Sequence, residues 1–242
     1  SIDLVTARTE FYERPSVLPQ VEWSSIRQDL YRRDFTINTM AICLDRERYG
    51  VLLDYYGGER DLASGLVRVL HNLSFIEDPT RIIRAVRFEQ RLGFTIEERT
   101  MELIDDAVDL IDHVTGERLR HELDLLLQEA QPEKAFDRLE QLGVLQHIHP
   151  QLHFGRNMTV YFGRLRARVE TWQSGGEAPE LAPCYLALLT SGLDRAAMAE
   201  LTTRLHIGAA EARLLAEVAE LRALLGELTA RAMLPSSIYR LL

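Results

Sequence analysis

Lysine is almost missing from this chain: Lys134 is the only one among 242 residues, so nearly every positive charge is an arginine. Arginine's planar fork of donors suits phosphates and base edges, although the excess is equally compatible with a compositional habit of the source. Cysteine is scarce as well. Cys43 and Cys184 are the only two, and both lie in apolar stretches without a Cys-x-x-Cys or Cys/His cluster. That pattern argues for buried thiols in a reducing compartment and against a zinc site or a disulfide. Long hydrophobic runs are also lacking. Apolar residues make up 46% of the chain, yet no stretch reaches the roughly 18 uninterrupted apolar residues of a membrane span. The first residues show no basic region followed by an apolar signal, and the expectation is a cytoplasmic protein with no membrane partner.

The net charge of -9 argues against a nucleic-acid binder that works by bulk attraction. Its distribution weakens that objection, because residues 97–142 hold 14 Asp or Glu against 5 Lys or Arg and so carry the whole excess. A chain of 242 residues can bury a full core, as two or three units.

The pattern of residues changes along the chain. Ile2-Asp3-Leu4-Val5 reads as a strand. Residues 39–44 and 49–54 read as a hairpin around the polar turn 45–48, and residues 66–70 read as another short strand. Past Pro79 the period becomes helical, with helices expected near 97–112, 116–130, 132–142, 156–172, 183–190, 194–205 and 208–227. Pro132 and Gly143 mark helix boundaries, and residues 174–179 form the best linker. The fold class implied is α+β, a small sheet domain followed by an all-helical body.

Two groups of residues carry recognisable chemistry. In Arg32-Arg33-Asp34-Phe35-Thr36-Ile37-Asn38, Asp34 and Asn38 are four apart and share an edge if the segment makes a helical turn. They could then align Arg32 or Arg33 toward triphosphate oxygens. The plainer alternative is a surface turn with Asp34 as a cap. In Glu77-Asp78-Pro79-Thr80-Arg81, Pro79 suits the first turn of a helix and Asp78 suits its cap. The same geometry offers an acceptor beside a fork of donors. Adenine and cytosine present an amino donor next to a ring-nitrogen acceptor, whereas guanine and uracil reverse that order, so Asp78 and Arg81 could select A or C. Arg84, Arg87 and Arg91 continue one face of that helix. They suit phosphate or RNA, or equally salt bridges to Glu117, Glu122 or Asp124. His71, His113 and His121 have no partner pattern that recommends them as catalysts.

Through these residues the chain resembles the class II tRNA nucleotidyltransferase and poly(A) polymerase family. The matching blocks are residues 6–10, 29–41, 54–62, 77–94 and 117–123, and the resemblance is strong over 1–145. It implies that residues 1–72 are part of a nucleotidyltransferase head, 73–145 a helical neck, and 146–242 a helical body and tail for RNA. It further implies that Arg32, Arg33, Asp34 and Asn38 hold the nucleoside triphosphate. Asp78 and Arg81, supported by Glu77, would then template the base. Asp54, Gly57, Gly58 and Asp61 match a segment linking head and neck, and Arg118 and Arg120 match a later helical motif. The implied substrates are ATP, or CTP, and the 3' end of tRNA. A-adding, CCA-adding and poly(A)-forming activities stay open, as does a homo-oligomer.

One departure bears on catalysis. Family members carry an Asp-x-Asp pair for magnesium ahead of the block that residue 1 would follow, and this sequence shows none there. Asp3 is at most a supporting carboxylate. The expectation is that the chain is a C-terminal portion of an enzyme, inactive without an upstream part of the same protein. Residues 8–15 and 77–81 look most like the long bacterial variants with phosphoesterase-like and CBS modules. A non-catalytic RNA- or nucleotide-binding module is the alternative, and a helical adaptor a third reading.

Overall fold

Glycine and proline set many element boundaries in the computed structural model, which describes residues 4–11, 20–172 and 178–230. The chain divides into two compact units, Ser1–Val114 and Thr115–Leu242.

In the first unit, β1 (Arg8–Phe11) pairs antiparallel with β2 (Gln20–Trp23), followed by α1 (Ile26–Tyr31). The expected hairpin is present as β3 (Ala41–Ile42) and β4 (Leu52–Leu53), with Ala41 opposite Leu53 and Ile42 opposite Leu52. Next come α2 (Gly58–Ser64), β5 (Leu66–Val67), α3 (Ser74–Glu77) and α4 (Thr80–Leu92). Finally β6 (Thr95–Ile96) lies parallel to β5 and leads into α5 (Glu98–Asp105). Among the described residues the strands form three two-stranded pairs and no larger sheet. The strand expected at 2–5 is not seen: Ile2 and Asp3 lie outside the described residues, and Leu4 and Val5 are exposed and irregular.

Helix α4 forms for local reasons and stays in place for tertiary ones. The Asp78 carboxylate accepts from the Thr80 N–H at 3.0 Å and caps its start, Pro79 presets the entering backbone, and Gly93 at φ +67° ends it. Its Ile82, Ile83, Ala85 and Val86 are fully buried with Phe35, Val67 and Phe75. A buried face of four such side chains contributes on the order of 6 kcal/mol before ordering costs.

The second unit contains α6 (Gly116–Leu127), α7 (Pro132–Gln141), α8 (Val144–Ile148), α9 (Met158–Glu170), α10 (Leu181–Thr190), α11 (Arg195–Arg204) and α12 (Ala209–Ala230). Six of these match expected helices, whereas α8 is too short for periodicity to reveal. The expected stretch 97–112 is interrupted: α5 stops at Asp105 and a 3-10 turn covers Val108–His113. Phe136, Phe154, Phe162 and Tyr185 form the aromatic centre, Phe162 stacking on Tyr185 at 4.6 Å. Arg166 forks onto Glu133 at 2.6 and 3.0 Å and reaches the Tyr185 hydroxyl at 3.3 Å, so this buried carboxylate is fully paired. Most of the expected linker at 174–179 lies outside the described residues. Cys43 is buried as expected, but Cys184 is only part-buried; both are free thiols.

Candidate functional site

Asp34 and Asn38 do meet. Phe35, extended in backbone, leads from Asp34 into a 3-10 turn at Thr36–Asn38, and the Asn38 amide donates to Asp34 Oδ1 at 2.7 Å. Oδ1 also accepts from the Phe35 N–H at 3.0 Å, while Oδ2 takes Arg84 Nε at 2.8 Å and Arg84 Nη2. Burial pushes this carboxyl up, but Arg84, Asn38 and the Phe35 N–H outweigh it and hold the group below the usual aspartate range.

The sequence suggests Asp34 as the residue that aligns Arg32 and Arg33; the carboxylate found on both of them is Asp29. Its Oδ1 accepts from Arg32 Nε at 3.1 Å and Nη2 at 2.9 Å, and its Oδ2 lies 3.5 Å from Arg33 Nη2. Asp29 stands three and four residues before these arginines on the α1 register, so the pairing was legible in sequence. Arg84, in turn, has Asp34 as an acceptor, with Nε 2.8 Å from Oδ2.

Arg81 is the least exposed of the α4 arginines, its side chain only 6% exposed. Nη1 donates to Ser74 Oγ at 2.8 Å and Ser74 O at 3.3 Å, and Nη2 donates to Arg32 O at 3.0 Å. The two motifs are thus joined through one guanidinium, across 49 residues of sequence. The α4 arginines do not form one exposed stripe: Arg81 is buried, Arg84 and Arg87 are half-buried, and Arg91 is exposed. Arg87 lies near the Phe88 ring, 5.8 Å from its centroid.

A cleft of about 150 Å³ opens where the motifs join. Arg32, Glu77 and Arg81 supply its charged wall, Tyr31 and His71 an aromatic one, and Thr9 and Gln28 the rest. Asp78 is not among these lining residues; its Oδ1 is taken up by the Thr80 N–H and the Thr80 hydroxyl at 2.6 Å. Sequence reasoning missed Tyr31 and His71 as cleft residues, since nothing in their spacing marks them.

The segment containing Asp54, Gly57, Gly58 and Asp61 packs directly on the Thr36 turn. Asp54 accepts from the N–H groups of Tyr56, Gly57, Gly58 and Glu59 at 2.9–3.3 Å. Burial acts to raise its carboxyl, and these four donors bring it below the ordinary value. Gly57 adopts φ +79°, which glycine tolerates best. Asp61, nearly inaccessible, accepts from Thr36 Oγ1 at 2.7 Å and Arg68 Nε at 2.9 Å. Gly58 lies so close that a Cβ there would run into the Thr36 carbonyl and sit 3.0 Å from Met40 Cγ. Gly58→Ala is expected to destabilise the first unit by about 1–3 kcal/mol. Chemical denaturation measures this, and an unchanged midpoint would show that the Thr36 turn yields freely.

In the second unit Arg120 is bound by carboxylates, Asp124 at 2.7 Å and Glu211 at 2.8 Å. Burial lowers its pKa, but the two acids raise it further, as a structural arginine requires. Arg118 is half-buried on the same helix. Among the described residues no group of three or more His, Cys, Asp or Glu is placed to hold a metal ion. Asp3 lies outside them. The described residues do not by themselves supply the magnesium-binding set that the resemblance implies.

Two family models match the chain, the poly(A) polymerase head domain over residues 1–68 and a probable RNA and SrmB-binding site of polymerase A over 93–155. An A-adding tRNA nucleotidyltransferase of Geobacter sulfurreducens is 46% identical over 211 residues, which cover 85% of this chain and 24% of that protein. The chain belongs to the tRNA nucleotidyltransferase and poly(A) polymerase family. An apo CCA-adding enzyme structure of this family matches all of the chain and 57% of its own at 39% identity, with a TM-score of 0.83. A Thermotoga maritima CCA-adding enzyme complexed with tRNA and a CCA-adding enzyme complexed with ATP match at 37% and 38% identity. Both cover 90% of this chain and 53% of theirs, with TM-scores of 0.73. The chain spans about a quarter of the length of the Geobacter family member.

Proposed function

We propose that this chain supplies the base-reading and RNA-binding part of a template-independent tRNA nucleotidyltransferase that adds AMP, or CMP, to the 3' end of tRNA. The observation that carries this reading is the cleft at which Arg32 and Arg81 meet, joined by the 3.0 Å bond from Arg81 Nη2 to Arg32 O. The similarity to A-adding and CCA-adding enzymes supports it.

In this reading, Asp29 fixes Arg32, which lines the cleft, and also holds Arg33, so that their donors meet the triphosphate without a search over many rotamers. Arg33, with a side chain 45% exposed, has the freer reach of the two. The bonds of Arg81 to Ser74 and Arg32 take at most three of its five donors. The remainder serve a ring nitrogen, while Glu77 and Asp78 offer acceptors for an exocyclic amine. Guanine or uracil would leave such groups unsatisfied, at about 1–3 kcal/mol each, a roughly five- to hundredfold effect. The arginines orient the nucleotide and do not act as bases, because their pKa is far above neutrality. Residues 93–155, which match the RNA-binding model, are proposed to contact the tRNA, Arg118 among them.

Calorimetric titration of the four nucleoside triphosphates onto this chain tests the reading. ATP, with or without CTP, is expected to bind at least tenfold more tightly than GTP or UTP, and equal affinities would overturn base reading. Nucleotide incorporation into tRNA by the full-length gene product then separates an enzyme from a binding module. Selective binding with no incorporation would favour the module.

A further inference from the structure

Helices α11 and α12 leave a groove of about 440 Å³ between them, and the reason is the size of the residues that face it. Ala212, Ala216 and Ala219 recur at intervals of four and three on one side of α12, across from Met198 and Ala199 of α11. Leu215, fully buried, anchors α12 in the second unit, whereas the alanines are too short to fill the space beside α11.

Two charges stand at one end of this groove. Arg222 donates to Ser191 Oγ, which brings the later half of α12 alongside the start of α11, so that Arg195 and Glu220 share that end. The charges around them are committed: Asp194 accepts from the Ala197 N–H at 2.9 Å and from the Gln151 amide at 3.1 Å, and Arg213 holds Glu217 at 2.9 Å. Among the described residues, no hydrogen bond or ion pair engages the side chain of Arg195 or Glu220, and both residues are exposed. Leu221 follows Glu220 and is 59% exposed. Successive residues turn about 100° round a helix, so Glu220 stands between Ala219, on the groove side, and Leu221, on the other.

A protruding leucine, an apolar groove and a pair of opposite, uncommitted charges therefore adjoin one another. A twofold interface needs this kind of self-complementarity, because one residue then meets a second on the other copy while that second meets the first. We propose that this face of α11 and α12 binds a second copy of the chain, with Leu221 of each copy entering the groove of the other and Arg195 of each facing Glu220 of the other. One operation seats both leucines, so the assembly closes as a dimer. The alanine floor has room for a branched side chain, and the two ion pairs sit at a polar rim, where they select the partner more than they add affinity. Dimerisation through this face is independent of the nucleotide cleft in the first unit.

Sedimentation velocity of the chain over a concentration series tests the dimer, with the melting temperature of each variant as a check on folding. The wild-type chain is expected to pass from monomer to dimer and no further. Leu221→Asp should weaken the dimer at least tenfold, since it puts a charge into an apolar groove. Arg195→Glu and Glu220→Arg should each weaken it about tenfold, because each sets like charges face to face, and the double variant with the charges exchanged should regain most of the loss. Melting temperatures should stay close to wild type, as all three side chains are exposed. A chain that stays monomeric at every concentration overturns the proposal. So does a dimer that the three single substitutions leave intact, which puts the interface elsewhere, and so does growth into ever larger species, which means that leucine and groove join head to tail without closing. An exchanged pair that recovers nothing overturns the facing of Arg195 and Glu220.

Discussion

Replacing Asp34 with alanine is expected to destabilise the first unit by about 3 kcal/mol, the scale of breaking one side of a buried ion pair. Asp34 is 8% exposed, and its two oxygens serve the Phe35 N–H, the Asn38 amide and both ends of the Arg84 fork. Alanine would leave those donors without their acceptor beside Phe35, which is fully buried and packs edge-on to Phe88 at 5.6 Å. Arg84 is 29% exposed and can turn partly to water, which keeps the cost at the lower end of the range. Asp34→Asn should fall between, since one amide oxygen still accepts from Phe35 and Asn38. The pH dependence has a definite sign. The folded carboxyl titrates below its ordinary value of 3.8, so its contribution is fully present above about pH 4 and is lost as the pH falls through the lower folded value. The deficit of Asp34→Ala measured by denaturation at pH 7 should therefore narrow as the pH drops below about 4. A change under 1 kcal/mol at neutral pH would show that Arg84 and Asn38 find other acceptors.

Features set by near neighbours were legible in the sequence, and those set by distant ones were not. The Asp34–Asn38 bond follows from a four-residue spacing, and the limits of α4 follow from Asp78, Pro79 and Gly93. The tRNA nucleotidyltransferase motifs supplied the order of the site. What spacing could not show was which charges go inside. Arg81 and Arg91 lie on one helical face by periodicity, yet Arg81 is buried because Ser74 and the Arg32 carbonyl receive it, and Arg91 is exposed. The β5–β6 pair joins two-residue strands, too short for alternation to register. His71 and Glu77 are separated by a turn and the body of α3, so neither helical nor strand periodicity brings them together. The cleft is a tertiary object, and only its charged half carried a motif.

Arg81→Ala is expected to weaken ATP binding about tenfold to a hundredfold and to abolish most discrimination of A from G, since it removes the donor half of the proposed base reader. The burial of Arg81 adds a second effect that sequence reasoning underrated. Its bonds to Ser74 Oγ, Ser74 O and Arg32 O tie α3, α4 and the end of α1 together, so a stability loss of about 2–3 kcal/mol should accompany the functional one. Ser74→Ala separates the two roles. It deletes the 2.8 Å hydroxyl bond that anchors Nη1 while leaving the guanidinium in place, and should cost about 1 kcal/mol with selectivity intact. Both variants are compared with wild type well below their melting temperatures, with ATP and GTP affinities read on the same preparations. If Ser74→Ala loses A-over-G preference as completely as Arg81→Ala, the guanidinium acts by bracing the cleft. If only Arg81→Ala loses it, the buried arginine serves both purposes at once, because the oxygens that hold it leave some of its five donors uncommitted.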